Sequence, residues 1–82
     1  MVDKETENVV TLLNELKDDR TVPKNARALV EDAIKILDDD TKMEIKVSKV
    51  LHQLEEIADD VNLQPYTRTQ ILDIISSLEK IK

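Results

Sequence analysis

Two prolines set the frame of this chain. Pro23 and Pro65, 42 positions apart, each follow an acidic stretch and each open a run of regularly spaced aliphatic residues. Inside a helix, proline removes a hydrogen bond and clashes with the preceding turn, but it fits the first turn, where its missing N–H had no partner anyway. The chain is thereby cut into two helix-turn-helix halves.

The apolar spacing fills in those halves. Val9, Leu12, Leu13 and Leu16 fall at i, i+3, i+4 and i+7 and predict a first helix, with Lys17 near its end, where a cation suits the helix dipole. After Pro23, the residues Ala26, Leu29, Val30, Ala33 and Leu37 trace one face of a second helix, and Ile34 and Ile36 widen that face to nearly half the cylinder. This exceeds what one bundle interior requires, so Ile34 or Ile36 is expected at the surface unless a second subunit covers it. Asp38-Asp39-Asp40 is unfavourable as the end of helix two but suits the start of a third, where Thr41 and Glu44 have capping-box spacing. The third helix shows the stripe Val47, Val50, Leu51, Leu54, Ile57 or Ala58, then Val61. It is expected to run about four turns, until Asn62 supplies a residue that tolerates the left-handed conformation. A fourth helix begins near Pro65, has a capping-box pair in Thr67 and Gln70, and carries Ile71, Leu72, Ile74, Ile75, Leu78 and Ile81, with Lys80 and Lys82 at its end.

Sliding the chain on itself from Pro23 to Pro65 superposes Val9 on Leu51, Leu12 on Leu54, Leu16 on Ala58, Leu29 on Ile71, Val30 on Leu72, Ala33 on Ile75, Ile36 on Leu78 and Asp18 on Asp60. A duplication and the generic likeness of any two amphipathic hairpins both account for this echo. The spacing also falls in the range of HEAT and armadillo repeats, which need three or more units, so a closed bundle fits better. The expected fold is all-α: an up-and-down four-helix bundle built from two αα-hairpins, one domain over residues 1–82.

A domain of 82 residues hides only about 60% of the surface its unfolded chain exposes, so the core must be thin. The chain has no Cys, Trp, Phe or Gly and one aromatic residue, Tyr66, which leaves Leu, Ile, Val and Ala for the interior and no disulfide to staple it. Self-association is a common way for so short a chain to bury more surface, and a homo-oligomer is therefore expected. Twelve Lys and Arg against 18 Asp and Glu give a formal charge of -6, which repels phosphate backbones and disfavours nucleic acid and anionic membranes as partners. The first residues carry neither a basic nor an apolar leader region, and the longest apolar run is Ala28-Leu29-Val30, so a soluble, cytoplasmic protein is expected.

Little here can carry chemistry. Nucleophilic catalysis needs a nucleophile beside a base, and a metal site needs clustered ligands. His52 lies on the flank of the third helix with Glu55 and Glu56 at i+3 and i+4, but a di-metal bundle wants that motif on two helices and this chain has one histidine. The Asp38–Asp40 run lacks the alternating ligands and glycine turn of a calcium loop. No catalytic residue, cofactor or metal is expected, and the chain reads as a non-enzymatic interaction module. The residues that break a rule follow the prolines. Lys24, Arg27 and Arg68 place cations in the first turns of helices two and four, where the dipole disfavours them. Either they pair with Asp18, Asp19, Asp59 and Asp60 across their own turns, or they join Tyr66 in a surface that docks a protein partner, since Arg and Tyr are enriched among interface hot spots. An alternative is a nucleic-acid or ribosome-associated accessory role through Lys24, Arg27 and Arg68.

The segment Asp19-Arg20-Thr21-Val22-Pro23-Lys24-Asn25-Ala26-Arg27, with Pro65-Tyr66-Thr67-Arg68-Thr69-Gln70-Ile71 and Ser76-Ser77-Leu78-Glu79, resembles the archaeal group called uncharacterised protein family (UPF) 0147 over nearly the whole chain. The resemblance implies a small four-helix up-and-down bundle in an archaeal cytoplasm, and it implies no activity.

Overall fold

A computed structural model describes residues 4–81. Four helices follow one another: α1 (Lys4–Asp18), α2 (Lys24–Leu37), α3 (Met43–Ala58) and α4 (Pro65–Ile81). Each packs closely on its two neighbours in the cycle α1, α2, α3, α4 and back to α1, while the backbones of the diagonal pairs stay further apart among the described residues. This is a closed up-and-down bundle measuring 35 × 19 × 19 Å.

One aliphatic core runs its length. Val9, Leu13 and Leu16 of α1 meet Ala26, Val30, Ala33 and Leu37 of α2, Val47, Val50, Leu51, Leu54 and Ile57 of α3, and Ile71, Ile74 and Leu78 of α4. Leu12, Leu29, Ile34, Ile36 and Ile75 are half-buried against it. The wide apolar face of α2 is thus absorbed within one bundle, contrary to the expectation that Ile34 or Ile36 would be exposed. Two polar residues share the interior, Thr6 and Thr67, and the Thr6 hydroxyl has no hydrogen-bond partner among the described residues.

Burial repeats along the chain, but at 41 positions rather than 42. Thr6, Val9, Leu13 and Leu16 correspond to Val47, Val50, Leu54 and Ile57, and Ala26, Val30, Ala33 and Leu37 to Thr67, Ile71, Ile74 and Leu78. Val22 and Leu63, the buried residues of the first and third connections, pair at the same spacing. The prolines mislead by one residue because they hold different places. Pro23 is the N-cap before α2, whereas Pro65 is the first residue of α4.

The helix ends depart from the sequence expectations in a consistent way. The cap of α3 is Lys42, which makes no side-chain cap bond; the Thr41 hydroxyl instead donates to Asp39 Oδ2 at 3.1 Å, so the Thr41/Glu44 capping box does not form. Thr67 lies inside α4 and is buried, so it does not cap that helix. Helix α3 stops at Ala58 with Asp59 as a right-handed cap, and no described residue has a positive φ, so Asn62 does not serve as a left-handed terminator. Val61 lies in the turn beyond α3, outside the core.

Candidate docking surface

The connections α1–α2 and α3–α4 lie at the same end of the bundle and are built alike. In the first, the Thr21 N–H and hydroxyl both donate to Asp19 Oδ1 (2.9 and 2.7 Å), and the Val22 N–H donates to the Asp19 carbonyl at 3.2 Å. In the second, the Asn62 N–H donates to Asp60 Oδ1 at 2.9 Å and the Leu63 N–H to the Asp60 carbonyl at 3.1 Å. An aspartate that bonds the backbone two residues on can close a turn without glycine, and a buried aliphatic residue then pins that turn to the core. The two bonds from Thr21, the hydroxyl first and the backbone N–H second, hold the Asp19 carboxyl below its ordinary value, against a small opposing effect of desolvation.

The cations fall into the same pattern. Arg27, Lys46 and Arg68 are each the fourth residue of their helix. The Arg68 guanidinium donates from Nε to the Ala58 carbonyl at 3.0 Å and from Nη2 to the Asp60 carbonyl at 2.9 Å. Lys46 Nζ donates to the Leu37 carbonyl at 3.1 Å. Lys46 and Arg68 thus reach back to carbonyls at the end of the preceding helix or in the turn that follows it, where that helix presents the negative end of its dipole. A charge that is unfavourable for its own helix is thereby compensated by the preceding one. For Arg68 the compensation comes from main-chain carbonyls rather than from the carboxylates across the turn. Arg27 holds the matching station on α2, half-buried, but its Nε is enclosed without an acceptor among the described residues.

The similarity ends at the surface. At matching positions the first turn shows Arg20, Lys24 and Asn25, and the second shows Val61, Pro65 and Tyr66, all but Pro65 and Asn25 being either cationic or apolar side chains held in water. Val61 is 90% exposed and Tyr66 74%. Of the residues singled out in the sequence, Lys24 and Tyr66 are open to solvent, Arg27 is half-buried, and Arg68 is engaged in stitching α3 to α4. The sequence reading missed Val61 and Lys46. Aligning the halves by their Asp-Asp pairs, Asp18-Asp19 and Asp59-Asp60, instead of by their prolines would have placed Val61 opposite Arg20 and outside the core.

Elsewhere the surface offers shallow relief. His52 is exposed beside Ile36, Ser48, Lys49 and Gln53 in an open groove between α2 and α3. A larger, half-open groove between α1 and α2 is lined by Thr6, Val10, Ile34 and Leu37, with Glu7 and Asp38 among its polar residues. Among the described residues no three His, Cys, Asp or Glu side chains converge as metal ligands, and no helix is long and apolar enough to cross a membrane.

Known proteins share both the sequence and this architecture. The profile of the Uncharacterised protein family (UPF0147) matches residues 2–81. The UPF0147 protein of Methanocaldococcus jannaschii is 39% identical over 75 residues, covering 90% of this chain and 81% of that protein. The UPF0147 protein of Thermoplasma volcanium is 38% identical over 74 residues, covering 89% and 83%. A crystal structure of a UPF0147 protein from Thermoplasma acidophilum superposes with a TM-score of 0.92 at 35% identity, over 95% of this chain and 93% of that one. Another crystal structure, of a protein of unknown function, superposes at 0.90 with 34% identity, over 95% and 90%.

Proposed function

The chain belongs to UPF0147, an uncharacterised archaeal protein family, and from the geometry of its turns we propose that it is a non-enzymatic, cytoplasmic interaction module that docks a protein through the end of the bundle carrying Val61 and Tyr66. The observation that carries this reading is the exposure of those two side chains. A valine at 90% and a tyrosine at 74% exposure flank one turn, while the matching positions of the twin turn hold Arg20 and Asn25. Of the exposed large hydrophobics, Val61 and Tyr66 are the two most open to solvent among the described residues, and the twin turn shows that the scaffold accepts polar residues at both positions. Apolar and aromatic groups at the same end of the bundle as exposed cations match the composition of an interface centre and rim. Lys24 and Arg20 supply that rim, and Arg27, whose Nε lacks an internal acceptor, can turn outward to join them.

A variant with Val61→Ser and Tyr66→Ser tests the assignment. Immobilised wild-type protein should retain from archaeal cytoplasm a partner in near-stoichiometric amount that the double variant, with unchanged thermal stability, does not. Equal retention by both, or none by either, would remove the docking end from consideration.

A further inference from the structure

The bundle has two kinds of connection, and they differ in how they are held. The turns inside each hairpin are pinned by a buried residue, Val22 at 2% exposure in one and Leu63 at 4% in the other. The connection between the hairpins, residues 38–42, has no buried residue at all: Asp38, Asp39, Asp40 and Lys42 are exposed and Thr41 is half-exposed. Its hydrogen bonds are local, from the Asp38 and Asp39 N–H groups to the end of α2, from Asp40 N–H and the Thr41 hydroxyl to the Asp39 carboxylate, and from Lys46 Nζ to the Leu37 carbonyl. Three adjacent carboxylates repel one another when folded into a turn and separate when it extends. Of the three connections, this one alone has no residue anchored in the core, and it is where the chain can open to let the two hairpins part.

The contacts between the hairpins are α2 on α3 and α1 on α4. Because burial repeats from Thr6 and Val47 through Leu37 and Leu78, each hairpin presents the same pattern of stations to the other. We propose that the chain forms a half-exchanged dimer, in which the α1–α2 hairpin of one copy packs on the α3–α4 hairpin of a second copy and the reverse. Exchange forms no new surface, since every core contact is remade between copies. This makes it a low-cost route to a dimer. An extended connection of five residues reaches about 17 Å, close to the 19 Å width of one bundle, so two bundles can lie side by side. Closure within one chain competes at an effective concentration in the millimolar range for a short linker, which places exchange at high protein concentration unless the turn is disfavoured. None of these residues is Val61 or Tyr66, so the proposed dimer extends the interaction role beyond the docking end and survives or fails separately from it.

Two experiments on the full chain decide the matter. Deleting Asp38 to Lys42 joins α2 directly to α3 with no residue left to turn the chain, so α3 cannot fold back on α2, and sedimentation should then report a helical species of twice the monomer mass at micromolar concentration. A folded monomer would overturn the proposal. If the deletion variant does not fold, complementation decides. One variant carries Leu13→Asp with Val30→Asp, the other Leu54→Asp with Ile71→Asp, each placing charges in a fully enclosed core. Separately each should be unfolded. Mixed, the two intact hairpins should meet in one heterodimeric bundle and restore about half of the wild-type helical signal. A mixture whose circular dichroism is the sum of its parts would overturn the proposal. The Val61→Ser, Tyr66→Ser variant, given the same deletion, should still dimerise, which separates exchange from end-on docking.

Discussion

Arg68 binds the last carbonyl of α3 and one in the turn beyond it, while Arg27, at the matching place on α2, holds a buried Nε with no acceptor among the described residues. Hydrogen bonds from a charged donor contribute more than neutral ones, and removing this one also uncovers carbonyls at a helix end. Arg68→Ala should therefore lower the unfolding free energy by about 2 kcal/mol, read from the urea midpoint at constant slope. Arg27→Ala should cost less than about 1 kcal/mol, because little is lost when a donor without a partner is removed. Equal losses would mean that Arg27 reaches the end of α1 in solution as Arg68 reaches α3. Thr6 is the opposite case: a buried hydroxyl without a partner, standing where the other half has Val47. Thr6→Val keeps the shape and removes the desolvated group, so it should raise stability by about 1 kcal/mol, and a decrease in the thermal midpoint would contradict this.

At the scale of the element, the helices were legible and their ends were not. Aliphatic spacing reports which face is buried, and it located all four helices, because the packing of an amphipathic stripe is what stabilises a helix in so small a protein. Helix ends depend on backbone dihedrals that composition constrains weakly. Asn62 and the Thr41/Glu44 pair carry the right side chains for left-handed and capping-box ends, yet the chain closes its turns with right-handed caps and aspartate-to-backbone bonds. Asn62→Gly should accordingly destabilise the protein, by about 0.5–1 kcal/mol, through the extra freedom of the unfolded chain; a gain would show that a left-handed residue is wanted there after all. The turn at Asp19 also carries a pH dependence. Its carboxyl is held below the ordinary value when folded, so its stabilisation is fully present above that value and is lost as the pH falls through the lower folded one. Between about pH 5 and about pH 3 the wild-type thermal midpoint should fall more steeply than that of Asp19→Ala. Parallel curves would mean that the Thr21 bonds do not distinguish the folded carboxylate from the unfolded one.

For the whole molecule, what matters is that the two halves repeat at the spacing of their turns and not of their prolines. Burial, the aspartate turns and the arginines all coincide from Asp19 to Asp60, whereas the prolines serve as a cap in one half and a first helical residue in the other. The sequence showed the echo but tied it to its most visible residues, which are the ones that differ. The candidate docking end was legible only in part for the same reason: Tyr66 and Lys24 stood out by type, but Val61 looked like one more residue of an apolar stripe until the turn placed it in water. If the repeat is one of packing and not only of pattern, matched core positions should respond alike. Leu13 and Leu54 are both fully enclosed and stand at matching stations on α1 and α3. Truncating either to alanine removes the same group and leaves a cavity whose cost depends on how far its neighbours relax, so Leu13→Ala and Leu54→Ala should each cost about 3 kcal/mol. The core stations on the adjoining helices are themselves matched, Val30 on α2 corresponding to Ile71 on α4, so the two losses should agree to within about 1 kcal/mol. Denaturant unfolding of the pair checks this directly, and a gap of more than about 2 kcal/mol would show that the halves share a burial pattern without sharing its energetics.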